Sequence, residues 1–188
     1  RAAAATGACY VYPFMLSNTL ADEVAAVAGP KWAHLYILKD RDYVLHTVRE
    51  AERLGFSALV VTCDHPHEGV KRNTLPAFDA HIHEPIRGLS LGQRMKFPNA
   101  EKYRRAKGIP LTDNIGENDG TLCWSDIRWL VEQTHLPVVC KGVLSPEDAV
   151  SAIKHGAKGV IVSNHGGRQT DTTPPSIVML PHVVKAIH

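Results

Sequence analysis

The heptad Ser163-Asn164-His165-Gly166-Gly167-Arg168-Gln169 closes the short apolar run Gly159 to Val162, and it gathers an imidazole, two glycines and a guanidinium at one strand end. An imidazole three residues from a cation suits removal of a proton from a substrate that is held by its own negative charge. Gly166 and Gly167 let the backbone turn sharply and come close to a ligand. A run of β-branched residues that stops at such a loop reads as a buried parallel strand. A histidine at its carboxyl end stands where barrel enzymes carry out their chemistry.

A second copy of the pattern lies a hundred residues upstream. Gly55-Phe56-Ser57-Ala58-Leu59-Val60-Val61-Thr62-Cys63-Asp64 aligns without a gap on the stretch Gly156 to His165, so that Thr62 matches Ser163 and Asp64 matches His165. Stacked βα units would aim the two matched groups at one mouth. A carboxylate beside His165 would stabilise the imidazolium formed when the ring takes a proton. Ser17, His34, Tyr36 and Lys141 fall at or near the ends of other apolar runs. Lys141 is a cation inside such a run, a costly placement unless it is paired, and it would neutralise charge that develops on a reduced cofactor. A base, an orienting acid, a carboxylate clamp and a fixed cation suit oxidation at a carbon that bears both hydroxyl and carboxylate. No side chain is an electron sink, so a cofactor must supply one.

These residues need strands to hold them, and the chain alternates accordingly. Strands are expected at 8–16, 32–38, 57–64, 137–142 and 159–162, with helices after Thr19, from Asp40 to a Gly55 cap, at 124–130, behind the Ser145-Pro146 cap and at 176–187. Such alternation predicts a parallel sheet with helical crossovers. Arg1 to Ala5 reads as the tail of a helix rather than a signal peptide, since no continuous apolar stretch follows. Residues 65–120 break the rhythm with Pro, Gly, Asn, His and charge, and read as an active-site loop insertion.

Composition narrows the partners. The 188 residues are 44% hydrophobic with a net charge of +2, and basic residues are scattered among acidic ones rather than gathered in a stripe, which argues against nucleic acid. No run reaches the roughly 18 apolar residues of a membrane span. Cys9, Cys63, Cys123 and Cys140 form no C-x-x-C pair, and Cys63 and Cys140 read as small buried hydrophobes in a reduced compartment.

On the heptad, His34-Leu35-Tyr36, Asp64 and Val139-Cys140-Lys141-Gly142, the chain resembles the FMN-dependent 2-hydroxy-acid oxidases and dehydrogenases, the family of glycolate and lactate oxidase. The resemblance spans nearly the whole chain and is weakest between about 72 and 115. It implies a (β/α)₈ barrel, here incomplete with about five of eight βα units, forming one partial domain over 1–188. It implies FMN as cofactor and oxidation of a small (S)-2-hydroxy acid to a 2-oxo acid, with oxygen reduced to hydrogen peroxide. His165 would be the base and Asp64 its partner. Arg168 and Tyr36 would bind substrate, with Lys71 as a second carboxylate contact, while Ser17, His34, Thr62, Lys141 and Ser163 would face the flavin. No metal is implied. A homo-oligomer and a peroxisomal or cytoplasmic location would follow. Two departures stand out: His34 occupies a place usually held by glutamine, and Lys71 stands where the family has arginine. The family's first strand and its last two, with their phosphate site, would lie before Arg1 and after His188.

Two other readings compete. His65-Pro66-His67 at a strand end, with Lys141 and His165, resembles the zinc-dependent barrel hydrolases, and His81-Ile82-His83 gives a second pair. The Asn-His-Gly-Gly-Arg-Gln context has no role in that scheme, and His65 and His67 otherwise read as loop residues. A truncated relative that has lost its flavin is the other.

Overall fold

A computed structural model describes residues 2–66, 97–110 and 113–188. Its centre is a five-stranded sheet in the order β1-β2-β3-β4-β5. The strands are β1 (Tyr10–Pro13), β2 (Lys31–Leu35), β3 (Ala58–Thr62), β4 (Val138–Val143) and β5 (Gly159–Val162). All four pairings are parallel. Sequence order equals spatial order, so each crossover carries the chain to the next strand, as in a barrel wall.

The described helices are α1 (Ala2–Thr6), α2 (Ala21–Ala25), α3 (Arg41–Arg53), α4 (Pro98–Lys107), α5 (Trp124–Glu132), α6 (Pro146–Lys154) and α7 (Ser176–Ile187). Local chemistry sets their ends. Asp40 accepts from the Tyr43 N–H at the start of α3, and Ser145 accepts from the Asp148 N–H at the start of α6, with Pro146 in the first turn. Gly55 and Gly156, the paired glycines of the internal echo, stop the two helices at φ 73° and 98°.

Helix α3 turns Tyr43, Val44, Thr47, Val48 and Ala51 inward. They meet Leu35, Leu59, Val61, Val138 and Cys140 from the outward face of the sheet, all of them buried. Each fully buried Leu or Val contributes roughly 1.5–3 kcal/mol. The opposite face, carrying His34, Thr62 and Lys141, is left for the site.

Three details differ from the sequence reading. Strands β1 and β2 are shorter than 8–16 and 32–38, and Leu38 instead makes an antiparallel bridge with Asn118. The stretch 65–120 is not all irregular: α4 begins with Pro98 at its first turn and ends on Gly108 at φ 68°. Its polar sequence hides a buried face of Asn99, Tyr103 and Arg104, where Tyr103 packs on Tyr43 and Arg104 donates to the carbonyls of Pro110 and Asp113. Cys140 is buried in β4 as expected, but Cys63 lies one residue past β3 and is exposed.

Candidate active site

Asp64 lies two residues beyond β3 and His165 three beyond β5, with the end of β4 between them. The two side chains meet above that strand, His165 Nδ1 at 2.8 Å from Asp64 Oδ1, each 15% exposed. An ionised carboxylate only accepts, so Nδ1 carries the proton and Nε2 of the neutral ring is left as a proton acceptor. The pair is therefore arranged as a base held in one tautomer.

Backbone geometry makes the meeting possible. His165 adopts φ 58°, and Gly166 and Gly167 follow at 69° each. A left-handed histidine is sparsely populated and needs local support. Its N–H donates to Ser163 Oγ at 3.0 Å, and Gly167 N–H donates to the Asn164 carbonyl at 3.0 Å. On the other side, β4 is irregular between Lys141 and Val143, and the intervening Gly142 stands at φ 100°. A Cβ on Gly142 would lie 2.2 Å from Asp64 Cγ, so the carboxylate rests where a side chain would otherwise be. Among the described residues, Asp64 Oδ2 is buried with no hydrogen-bond partner. A buried acceptor without a donor is costly, which marks this atom for a proton-bearing neighbour.

Around the pair the inner wall is polar. His34 Nε2 and Thr62 Oγ1 are 2.6 Å apart across β2 and β3, and Lys141 is in register with Thr62 on β4. Burial, followed by the charge of Lys141, pulls the His34 imidazole down to about 4, so the ring is neutral near pH 7. Tyr36 stands edge-on to His34, ring centroids 5.1 Å apart, and burial pushes its hydroxyl above the usual phenol range. The Thr62 hydroxyl and the positive charge of Arg168 act in the opposite sense. Arg168 itself is exposed on the loop after His165.

Thus His165, Asp64, Thr62, His34, Tyr36 and Lys141 share one mouth, with Arg168 at its rim. Ser163 is present too, but its hydroxyl accepts from the His165 backbone. Ser17 lies past β1, where its hydroxyl accepts from Thr19 N–H at 3.0 Å. That loop is tied down by Asn99, whose Nδ2 donates to Tyr12 Oη and the Phe14 carbonyl while its Oδ1 accepts from Ala21 N–H. Lys71, like His67, His81 and His83, lies outside the described residues. Among the described residues no group of three or more His, Cys, Asp or Glu side chains is arranged to hold a metal ion. Sequence reasoning missed Gly142; its only signal was a glycine inside a strand pattern. It read His65 only as a metal-ligand candidate or a loop residue, and it passed over Asn118.

The model of the FMN-dependent dehydrogenase family matches residues 1–188. This chain belongs to that family. It is 37% identical over 188 residues to 2-hydroxyacid oxidase 2 of Bos taurus, covering 100% of this chain and 50% of that protein. It is 37% identical over 193 residues to glycolate oxidase of Spinacia oleracea, covering 99% and 49% respectively. Among solved structures, a mandelate oxidase variant with a C4a-hydroxy FMN adduct superposes with a TM-score of 0.77 at 33% identity, over 99% of this chain and 47% of that one. The chain spans about half the length of the relatives it matches. The parallel sheet with its alternating helices is an incomplete (β/α)₈ barrel.

Proposed function

We propose that the protein carrying this chain oxidises (S)-2-hydroxy acids to 2-oxo acids through bound FMN, with oxygen as the final acceptor and hydrogen peroxide as its product. The observation that carries this reading is the 2.8 Å bond that fixes His165 Nδ1 on Asp64 and leaves Nε2 as the base. When bound, FMN supplies the two-electron sink that no side chain provides. The inner wall fits such a group: Lys141 offers a cation, Thr62 a hydroxyl and His34 a neutral imidazole on one face of adjacent strands. Ser17 and Ser163 would join them from the loops after β1 and β5.

The chain's own residues then divide the work. His165 accepts a substrate proton at Nε2, and Asp64 stabilises the imidazolium that results without itself taking the proton. Arg168 holds the substrate carboxylate, with Lys71 as a second contact, and the Tyr36 hydroxyl orients the substrate hydroxyl. Lys141 opposes the negative charge that accumulates across the wall as electrons arrive. The full-length protein is taken to be a homo-oligomer of the peroxisome or cytoplasm. No helix among the described residues is long and apolar enough to cross a membrane.

The test is FMN addition to the purified protein, then (S)-2-hydroxy acids without oxygen. Bleaching of the bound flavin's visible absorbance, reversed by air with release of peroxide, is the expected result. Bound flavin that stays yellow with every acid would refute the oxidase reading, and failure to bind flavin would favour an inactive remnant.

A further inference from the structure

Cys63 and Cys140 lie on the face of the sheet turned away from the candidate site. Across β3 and β4, Val61 pairs with Cys140 and Thr62 with Lys141. Side chains alternate along a strand, so Cys63 shares the outward face with Val61 and Cys140. Its side chain folds back along its own strand, and Sγ lies 3.6 Å from the Val61 carbonyl. Leu59 and Cys63 donate N–H groups to the carbonyls of Pro137 and Lys141 at 2.9 and 2.8 Å, so Val61, midway between them, also turns its backbone toward β4.

The Cys63 sulfur is thereby brought beside Cys140, and the two thiols share an S–H···S hydrogen bond. That bond pushes the Cys63 thiol up and pulls the Cys140 thiol down, as when two sulfurs share one proton. Cys63 is exposed and Cys140 fully buried, so one member meets an oxidant while the other stands behind it.

We infer that Cys63 and Cys140 form a dithiol that hydrogen peroxide closes to a disulfide, and that closure draws Asp64 away from His165. The functional reading above supplies the peroxide; the thiol pair itself does not depend on it. With the shared proton on Cys140, the Cys63 thiolate attacks one peroxide oxygen. An S–O bond forms, the O–O bond breaks, and the departing hydroxide takes the Cys140 proton to become water. The Cys140 thiolate then attacks the Cys63 sulfur, forming the S–S bond and breaking the S–O bond, and the second hydroxide takes a proton from solvent. In sum, two thiols lose two electrons and one peroxide becomes two waters.

Closure has a mechanical consequence. Two residues of offset across neighbouring strands put the Cα atoms about 8 Å apart, whereas a disulfide usually spans less than about 6.8 Å, so the backbone must give by roughly 1–2 Å. Cys140 is inside β4, but Cys63 is one residue past the end of β3, so that end moves and carries Asp64 with it. Asp64 then leaves the space beside Gly142 and its 2.8 Å bond to His165. Strain in the bridge makes it easily reduced, so the change reverses.

In the experiment, purified protein with FMN added is treated with hydrogen peroxide and its digest examined by mass spectrometry. The His165 Nδ1–H proton resonance and the rate of flavin reduction by a 2-hydroxy acid are followed before and after. The expected result is a peptide pair linked through Cys63 and Cys140, loss of that resonance, and reduction slowed by about tenfold or more, all restored by dithiothreitol. Cys63→Ser should reduce flavin as the wild type does and keep its rate after the same treatment. Cys63 that gains oxygen or stays a thiol without a linked pair overturns the inference, as does a linked pair with resonance and rate unchanged. If the wild type bleaches with no 2-hydroxy acid, the functional reading fails on its own, and the linked pair and the resonance still decide this one.

Discussion

At the scale of single residues, the account depends on one imidazole and the carboxylate that holds it. Asp64 accepts from Nδ1 at 2.8 Å and leaves Nε2 as the proposed base. Asp64→Asn removes the counter-charge and can reverse the tautomer by offering an amide N–H. Flavin reduction in that variant should fall by roughly 10²–10⁴ while flavin stays bound, as measured by rapid mixing under anaerobic conditions. These two residues were legible in the sequence because the glycine-to-glycine echo placed them at equivalent strand ends. Ser163 was legible as a residue of the mouth. Its bond to the His165 backbone was not, because a bond of that kind depends on the left-handed turn, which composition does not reveal. Lys71 lies outside the described residues, so its role rests on resemblance.

At the scale of elements, β4 is the strand that lets its neighbours touch. Its bulge at Gly142 clears the volume that Asp64 fills. Gly142→Ala should do two things. It should cost on the order of 1–3 kcal/mol of stability from the φ 100° backbone, and it should slow flavin reduction because the carboxylate is displaced. Urea denaturation and reduction kinetics on one sample check both; a variant with unaltered reduction would show that Asp64 does not need that space. Alternation of strand and helix was readable from hydrophobic period alone. Helix α4 was not, because its buried face uses Asn99 and Arg104, polar residues that become core only when Tyr12, Phe14 and Pro110 are brought to them. Tertiary partners, rather than periodicity, define that element.

At the scale of the whole molecule, the parallel sheet and its helices form part of a barrel wall with apolar surface still outward. Ile177, Val178 and Leu180 of α7 are 73%, 54% and 40% exposed. Patches of this kind promote association. Ile177→Lys with Val178→Lys should reduce concentration-dependent light scattering of the isolated 188 residues, with helical circular dichroism unchanged.

The buried site also sets acid behaviour. His34 is held neutral to about 4 against an ordinary value of 6.5, so the unfolded chain binds that proton first as pH falls. Stability from His34 is thus present above about 6.5, lost between there and about 4, and level below, amounting to about 3 kcal/mol at most. His34→Gln should flatten that limb when urea midpoints are compared at pH 7 and pH 4.5. The central claim is tested most directly by anaerobic mixing of the FMN-loaded His165→Ala protein with a 2-hydroxy acid that the wild type oxidises. The account predicts that flavin remains bound and its reduction is all but abolished; reduction at the wild-type rate would contradict it.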